Sequence, residues 1–201
     1  MAGRLFVARH GETVFNAARR MQGATAHTPL TRAGFAQAEA MGEILRSRLG
    51  VKPRVELWAS PTGRALQTLA VIAEHLELDW HDAQTDERLA EIDVGRWGGL
   101  YYRDIAAASG EIVDAGAALF SRRPPGGEWY DDVAVRLQSW LDEWTSADER
   151  VVVMHGMSSR VLRGMLTGVP VRPECAAPVA QGLPQGSVAE IVDGREIILQ
   201  A

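Results

Sequence analysis

The stretch Leu5-Phe6-Val7-Ala8-Arg9-His10-Gly11-Glu12-Thr13 joins an apolar run to a polar cluster that turns on a glycine. A short apolar run of this kind reads as a buried strand. Polar groups just beyond it stand where open α/β sheets hold their ligands, outside the carboxyl ends of the strands. The arrangement recurs in Val151-Val152-Val153-Met154-His155-Gly156, and a third run ends in Ser60-Pro61-Thr62-Gly63-Arg64. The pattern predicts strands over Leu5–Arg9, Val55–Ser60 and Val151–His155.

Longer segments with helical period separate these runs. A helix is expected from Arg32 to Leu49, opened by Thr31 as N-cap and stopped by Gly50, with Ala38, Met41, Leu45 and Leu49 as its apolar stripe. A second follows Ser60-Pro61, turning Ala65, Leu69, Ile72, Ala73 and Leu76 inward and leaving Arg64 near its amino end. A third covers about Trp129 to Trp144, where Val133, Leu137, Trp140, Leu141 and Trp144 keep the helical spacing and make the tryptophans core residues. A fourth runs from Met157 to Leu166, and Ser187–Val192, Asp193-Gly194 and Glu196–Leu199 read as a closing hairpin. Strands alternating with helices predict an α/β fold with a mostly parallel central sheet and helices on both faces. We read one domain over residues 1–201, with surface excursions at about 101–127 and 169–186, where prolines and glycines break the pattern.

Composition narrows the function. The 201 residues carry 21 Lys+Arg against 26 Asp+Glu, a formal net charge of -5, so no overall positive field points to nucleic acid or an anionic membrane. The single cysteine, Cys175, has no intramolecular disulfide partner, and the amino terminus enters the charged motif without a signal-peptide pattern. A reducing cytoplasm is the expected compartment. No apolar run approaches the roughly 20 residues of a membrane-spanning helix. His27, His75 and His81 lack zinc-like spacing, and no phosphate-binding glycine loop or dinucleotide motif is present.

A neutral imidazole held in one tautomer offers a lone pair that can attack phosphorus. Guanidinium groups suit phosphoryl oxygens because they stay ionised and bind two oxygens at once. His10 is thus the candidate nucleophile, with Arg9, Arg64 and His155 as groups that would surround a phosphoryl unit. Gln22-Gly23 reads equally as pocket lining or as a plain turn. Arg122-Arg123 reads as a solvated pair or as a distal anion site.

Taken together, Arg9-His10-Gly11-Glu12-Thr13 with Asn16, Pro29-Leu30-Thr31, Ser60-Pro61 with Arg64-Ala65, the Leu89-to-Leu100 segment and His155-Gly156 resemble the histidine phosphatase superfamily, the phosphoglycerate mutase-like family. The resemblance covers nearly the full length. It implies a three-layer sandwich and a phosphohistidine formed at His10, with Arg9, Arg64 and His155, the last as imidazolium, holding the transferring oxygens. It implies Asn16 as an assisting donor and Glu91 as proton donor, with Glu87 as its alternative; Gln22, Gly23 and Gly156 stand beside these as candidate substrate-binding positions. No metal or cofactor is implied. Two departures concern the substrate: no acidic residue follows Gln22-Gly23, and Gly98-Gly99 replaces a Glu-Gly pair. The expected activity is hydrolysis of a small phosphorylated metabolite. The alternatives are a phosphoglycerate mutase and a non-catalytic phosphoryl carrier or phospho-ligand binding module. Oligomeric state stays open, with a homodimer among the states considered.

Overall fold

A computed structural model of the protein describes residues 3–144 and 149–200. In chain order the strands are β1 (Leu5–Arg9), β2 (Val55–Ala59), β3 (Gln84–Thr85), β4 (Val113–Asp114), β5 (Leu119–Phe120), β6 (Glu149–Met154), β7 (Val171–Arg172), β8 (Ala177–Pro178), β9 (Val188–Val192) and β10 (Arg195–Leu199). The helices are α1 (Val14–Ala17), α2 (Arg32–Leu49), α3 (Gly63–Leu76), α4 (Tyr102–Ser109), α5 (Tyr130–Asp142) and α6 (Gly156–Leu166). Six strands form the central sheet in the order β10-β9-β1-β6-β2-β3. The β1, β6, β2 and β3 pairings are parallel, and the closing hairpin β9–β10 adds to β1 antiparallel.

Side-chain alternation in the two central strands makes the three layers. Leu5 and Val7 of β1, with Val152 and Met154 of β6, enter one core beneath α5 and α6. Phe6 and Ala8, with Val151 and Val153, enter the opposite core beneath α2 and α3. Because both faces are covered, these strands read as unbroken apolar runs. The β1–β6 register pairs Arg9 with Met154, so the next residues, His10 and His155, leave adjacent strand ends side by side. A bond from the His10 N–H to the Met154 carbonyl (3.0 Å) extends the ladder one step.

The Thr31 side chain accepts from the Gly34 N–H and caps α2, and Gly50 follows its last residue, as expected. Other boundaries shift by a residue or two. Ser60 and His155 lie just past their strands, and α5 begins after Trp129 as N-cap and ends at Asp142, leaving Trp144 beyond it. Trp140 is buried, while Trp129 and Trp144 are partly so.

The two proline- and glycine-rich segments carry buried anchors as well as surface residues. Within 101–127, Ile105, Ile112, Leu119 and Phe120 are buried, on α4 and around the β4–β5 hairpin. Within 169–186, Cys175, Ala177, Val179 and Leu183 are buried around the β7–β8 hairpin. Most of the first segment and much of the second lie at the surface, with these side chains anchoring them to the core. Two-residue strands are too short to show a hydrophobic period, which is why the pattern looked broken.

Candidate active site

His10 and His155 face each other edge to face with ring centroids 5.1 Å apart, both essentially without solvent exposure. The turn after β1 holds His10. Its Nδ1 lies 2.7 Å from the Gly11 carbonyl, which can only accept, so Nδ1 carries the proton and Nε2 keeps its lone pair. The Gly11 N–H donates to Thr68 Oγ1, whose hydroxyl donates to the Arg64 carbonyl and ties this turn to α3. Gly11 must be glycine here, since a Cβ would lie 2.2 Å from the Gly34 carbonyl oxygen in the first turn of α2. Burial, with Arg64 and Arg9 nearby, lowers the His10 pKa to about 3, although the bond to Gly11 opposes the shift. His10 is a neutral imidazole at physiological pH.

Arg64, the second residue of α3, is fully buried and spread over four acceptors. Its Nε donates to His155 Nδ1 (3.2 Å), Nη1 to the Thr25 carbonyl (2.6 Å) and Thr28 Oγ1 (3.0 Å), and Nη2 to the Gly23 carbonyl (2.7 Å). No carboxylate pairs with it among the described residues. Burial lowers its pKa to about 10, with Glu91 acting in the opposite direction. Gly23 has φ +50, and a Cβ there would sit 2.4 Å from Val94 Cγ2. The Gly23 turn thus serves to aim a carbonyl at Arg64.

The bond from Arg64 favours a neutral His155 over the expected imidazolium. Since Nδ1 accepts, the ring proton sits on Nε2, and burial, reinforced by the charge of Arg64, holds the pKa well below the usual value. His155 is a neutral donor. Its Nε2 is buried without a hydrogen-bond partner, and so is Nε of Arg9. Arg9 otherwise makes one long bond, from Nη1 to the Leu183 carbonyl (3.4 Å), and burial lowers its pKa. Unpartnered buried donors are rare, because each forfeits hydration without replacement. Here one belongs to the ring packed against His10, and the other to an arginine whose charge acts on His10.

Glu91, not Glu87, joins this cluster. Glu87 is exposed. The Glu91 carboxylate caps α6, the helix that starts beside His155. Its Oε1 accepts from the N–H groups of Ile92 (3.0 Å), Met157 (3.1 Å) and Ser158 (2.9 Å), while Oε2 takes only the Met157 N–H (3.0 Å). Oε2 therefore keeps a lone pair for a proton.

The remaining residues divide. Asn16 Oδ1 is occupied by Thr13 and Gln185, in the capping box of α1, while the side chain lines a groove together with Arg9. Gln22 is buried and accepts from Thr13 Oγ1 (2.7 Å). Gly156, the first residue of α6, lies against the Arg9 guanidinium. His27 is exposed and Trp97 is packed in the core. Arg122 and Arg123 are turned away to the Ser109 and Gly127 carbonyls and to Asp132. Sequence reasoning missed the positioning carbonyls of Thr25 and Gly23, which carry no side-chain signal, and Tyr102, which lines the groove. Among the described residues no group of three or more potential metal ligands occurs, and no helix is long and apolar enough to cross a membrane.

A buried neutral imidazole with a free nitrogen, ringed by cationic and uncharged donors, defines a site for phosphoryl chemistry. Comparison with known proteins gives the family. Residues 5–181 match the family model described as histidine phosphatase superfamily (branch 1), and the chain belongs to that superfamily. It is 32% identical over 177 residues to a Proteus mirabilis protein named "Probable phosphoglycerate mutase GpmB", covering 85% of this chain and 77% of that one. It is also 32% identical over 175 residues to a Caenorhabditis elegans 6-phosphofructo-2-kinase/fructose-2,6-bisphosphatase, covering 87% of this chain and 35% of that longer protein. Among solved structures, a mycobacterial glucosyl-3-phosphoglycerate phosphatase complexed with VO3 aligns over 100% of both chains, with 29% identity and a TM-score of 0.78.

Proposed function

We propose that the protein hydrolyses a small phosphomonoester through a phosphohistidine on Nε2 of His10. The observation that carries this reading is the tautomer: Nδ1–H is committed to the Gly11 carbonyl, which leaves the lone pair on Nε2 of a ring that packs against His155, while buried Nε2 of His155 and Nε of Arg9 are unpaired. In the first step Nε2 attacks phosphorus and the ester P–O bond breaks, while Glu91, entering as the acid, protonates the departing alkoxide from Oε2. The same carboxylate then takes a proton from water, the water oxygen attacks phosphorus and the P–N bond breaks, releasing phosphate. Arg64, Arg9 and the His155 Nε2–H stabilise the charge that builds on the equatorial oxygens. Donors already fixed in a dry site pay no reorganisation when that charge appears. His155 acts there as a neutral hydrogen-bond donor.

The mutase reading draws on the name of the curated relative. Hydrolysis is favoured by the short stretch between Glu91 and His155, where α4 and residues 111–113 line an open groove of about 810 Å³ that reaches Arg9. Steady-state assays with p-nitrophenyl phosphate and with 3-phosphoglycerate test the proposal. Phosphate release from both, absent in His10→Ala, is the expected result. Interconversion of 2- and 3-phosphoglycerate faster than phosphate release would make the protein a mutase, and equal rates for wild type and His10→Ala would remove His10 from the chemistry.

A further inference from the structure

The turn that carries His10 is held by two side chains whose own hydrogen bonds, among the described residues, reach neither an imidazole ring nor Glu91. In the peptide unit between Gly11 and Glu12, the carbonyl accepts from His10 Nδ1 at 2.7 Å, and the N–H donates to Gln37 Oε1, also at 2.7 Å. The unit is planar and trans, so its C=O and N–H point in opposite directions and turn together. Gln37, on α2, thereby aims the carbonyl that receives the nucleophile's proton. Accepting the N–H also polarises the unit and makes that carbonyl a stronger acceptor.

The preceding unit, between His10 and Gly11, is held from α3. Thr68 is fully buried; its hydroxyl donates to the Arg64 carbonyl (2.8 Å) and accepts from the Gly11 N–H (3.1 Å). Both directions are fixed, since a carbonyl only accepts and a backbone N–H only donates. A helical threonine can make the bond back to residue i−4 alone. Thr167 does so, donating to the Arg163 carbonyl (2.7 Å) and receiving no N–H among the described residues. At Thr68 the second bond reaches out of the helix to the turn after β1. Gln37 is itself braced, because Gly186, ahead of β9, lies so close that a Cβ there would stand 3.4 Å from Gln37 Cγ.

We propose that Thr68 and Gln37 are positioning residues for the nucleophile: by fixing two successive peptide units they keep the Gly11 carbonyl on Nδ1 of His10 and the lone pair on Nε2. A neutral imidazole without such a bond can carry its proton on either nitrogen, and the form protonated at Nε2 has no lone pair there to offer phosphorus. The inference rests on the phosphohistidine reading for its kinetic consequence. Its structural content, the tautomer of a buried ring, is measurable without turnover.

Long-range ¹H–¹⁵N correlation NMR on histidine-labelled protein reads the tautomer, with the His10 signals assigned from the spectrum of His10→Asn. The wild type should show His10 protonated at Nδ1. Thr68→Val keeps the shape and removes both bonds, leaving the Gly11 N–H without an acceptor. It should populate the Nε2–H form and lower kcat by about 10²-fold with KM within about threefold, the loss expected when a remote change displaces a reacting atom by about 1 Å. Thr68→Ser restores the hydroxyl and should recover most of both readouts. Gln37→Met should move the tautomer the same way and cost about tenfold in kcat, as for one hydrogen bond. Gln37 is only partly buried, so this variant carries the test even if Thr68→Val fails to fold. Thr167→Val, which loses only the bond within its helix, should change neither readout. An Nδ1–H tautomer that survives in the Thr68→Val and Gln37→Met proteins, a serine variant no better than valine, or an equal loss in Thr167→Val overturns the proposal. A tautomer that shifts in the variants of a wild type without any phosphomonoester turnover keeps the positioning and removes the hydrolysis. Turnover with an unmoved tautomer does the reverse.

Discussion

The two ends of the central sheet both bury arginines, and they treat them in opposite ways. At the amino ends of β2 and β6, Arg150 is ion-paired with Glu56 (2.6 Å) and lies between 4.6 and 5.2 Å from the ring centroids of Trp144, Trp58 and Trp140. Nearby, Arg163 at the last turn of α6 is paired with Glu196, and Glu190 takes both Arg4 and Arg48. At the carboxyl ends of β1 and β6, Arg64 and Arg9 are spared a carboxylate and leave donors to carbonyl oxygens or to nothing. A buried cation with a carboxylate is neutralised, whereas one without stays attractive to an incoming anion at a cost in stability. The charge arrangement, more than the number of arginines, separates the scaffold end from the reacting end.

The largest effect should come from exchanging one arginine at each end for methionine, which keeps bulk and removes charge. Arg64→Met should lower kcat/KM by about 10² to 10³. Arg163→Met should leave activity within about twofold but lower unfolding free energy by about 1–3 kcal/mol, because Glu196 loses its partner. Denaturant titrations alongside kinetics read both. If Arg163→Met were the more damaging to activity, the contrast between the ends would be lost.

Glu91→Gln sharpens the assignment of the proton donor. The amide keeps one oxygen for the helix N–H groups but no acid. It should depress kcat by about 10² or more for an alkyl phosphate and far less for p-nitrophenyl phosphate, whose leaving group needs little protonation. Equal losses on both substrates would make Glu91 a helix cap only.

The histidine pair ties the reacting end to pH. The unfolded chain takes up protons on His10 and His155 below about pH 6.5, but the folded chain resists protonation of His10 down to about pH 3 and of His155 well below the usual range. The unfolded state thus binds more protons in that window, and stability falls as the pH drops through it. Urea midpoints between pH 7.5 and 5.5, above most carboxylate titration, should decline for the wild type and decline less for His10→Asn. A smaller, local effect is expected from Gly23→Ala: the strained turn and the contact with Val94 should shift the carbonyl that aims Arg64, costing several-fold in kcat/KM.

Much of the reacting end could be read from the chain because its residues follow strand ends directly. An apolar run stopping at Arg9-His10 and another at Met154-His155 need only parallel neighbouring strands to converge, and the register supplies that. Arg64 was legible from its place at a helix start. What escaped depends on contacts with no sequence period. The ionisation of His155 is decided by the nitrogen that Arg64 reaches. Of the buried residues in 101–127 and 169–186, Leu119, Phe120 and Ala177 sit on two-residue strands and Ile112, Cys175 and Val179 beside them, where alternation cannot register. The choice between Glu91 and Glu87, four positions apart, is made by the α6 amino terminus, which accommodates one carboxylate.

The central claim, that the lone pair on Nε2 of His10 is the nucleophile, is tested most directly by rapid quench under alkaline conditions during turnover, followed by peptide mass spectrometry and ³¹P NMR. An acid-labile phosphoryl group on Nε2 of His10, formed and discharged at rates compatible with kcat and missing in His10→Ala, is the expected result. A phosphoryl group on another side chain, on Nδ1, or on none while substrate is still hydrolysed would contradict it.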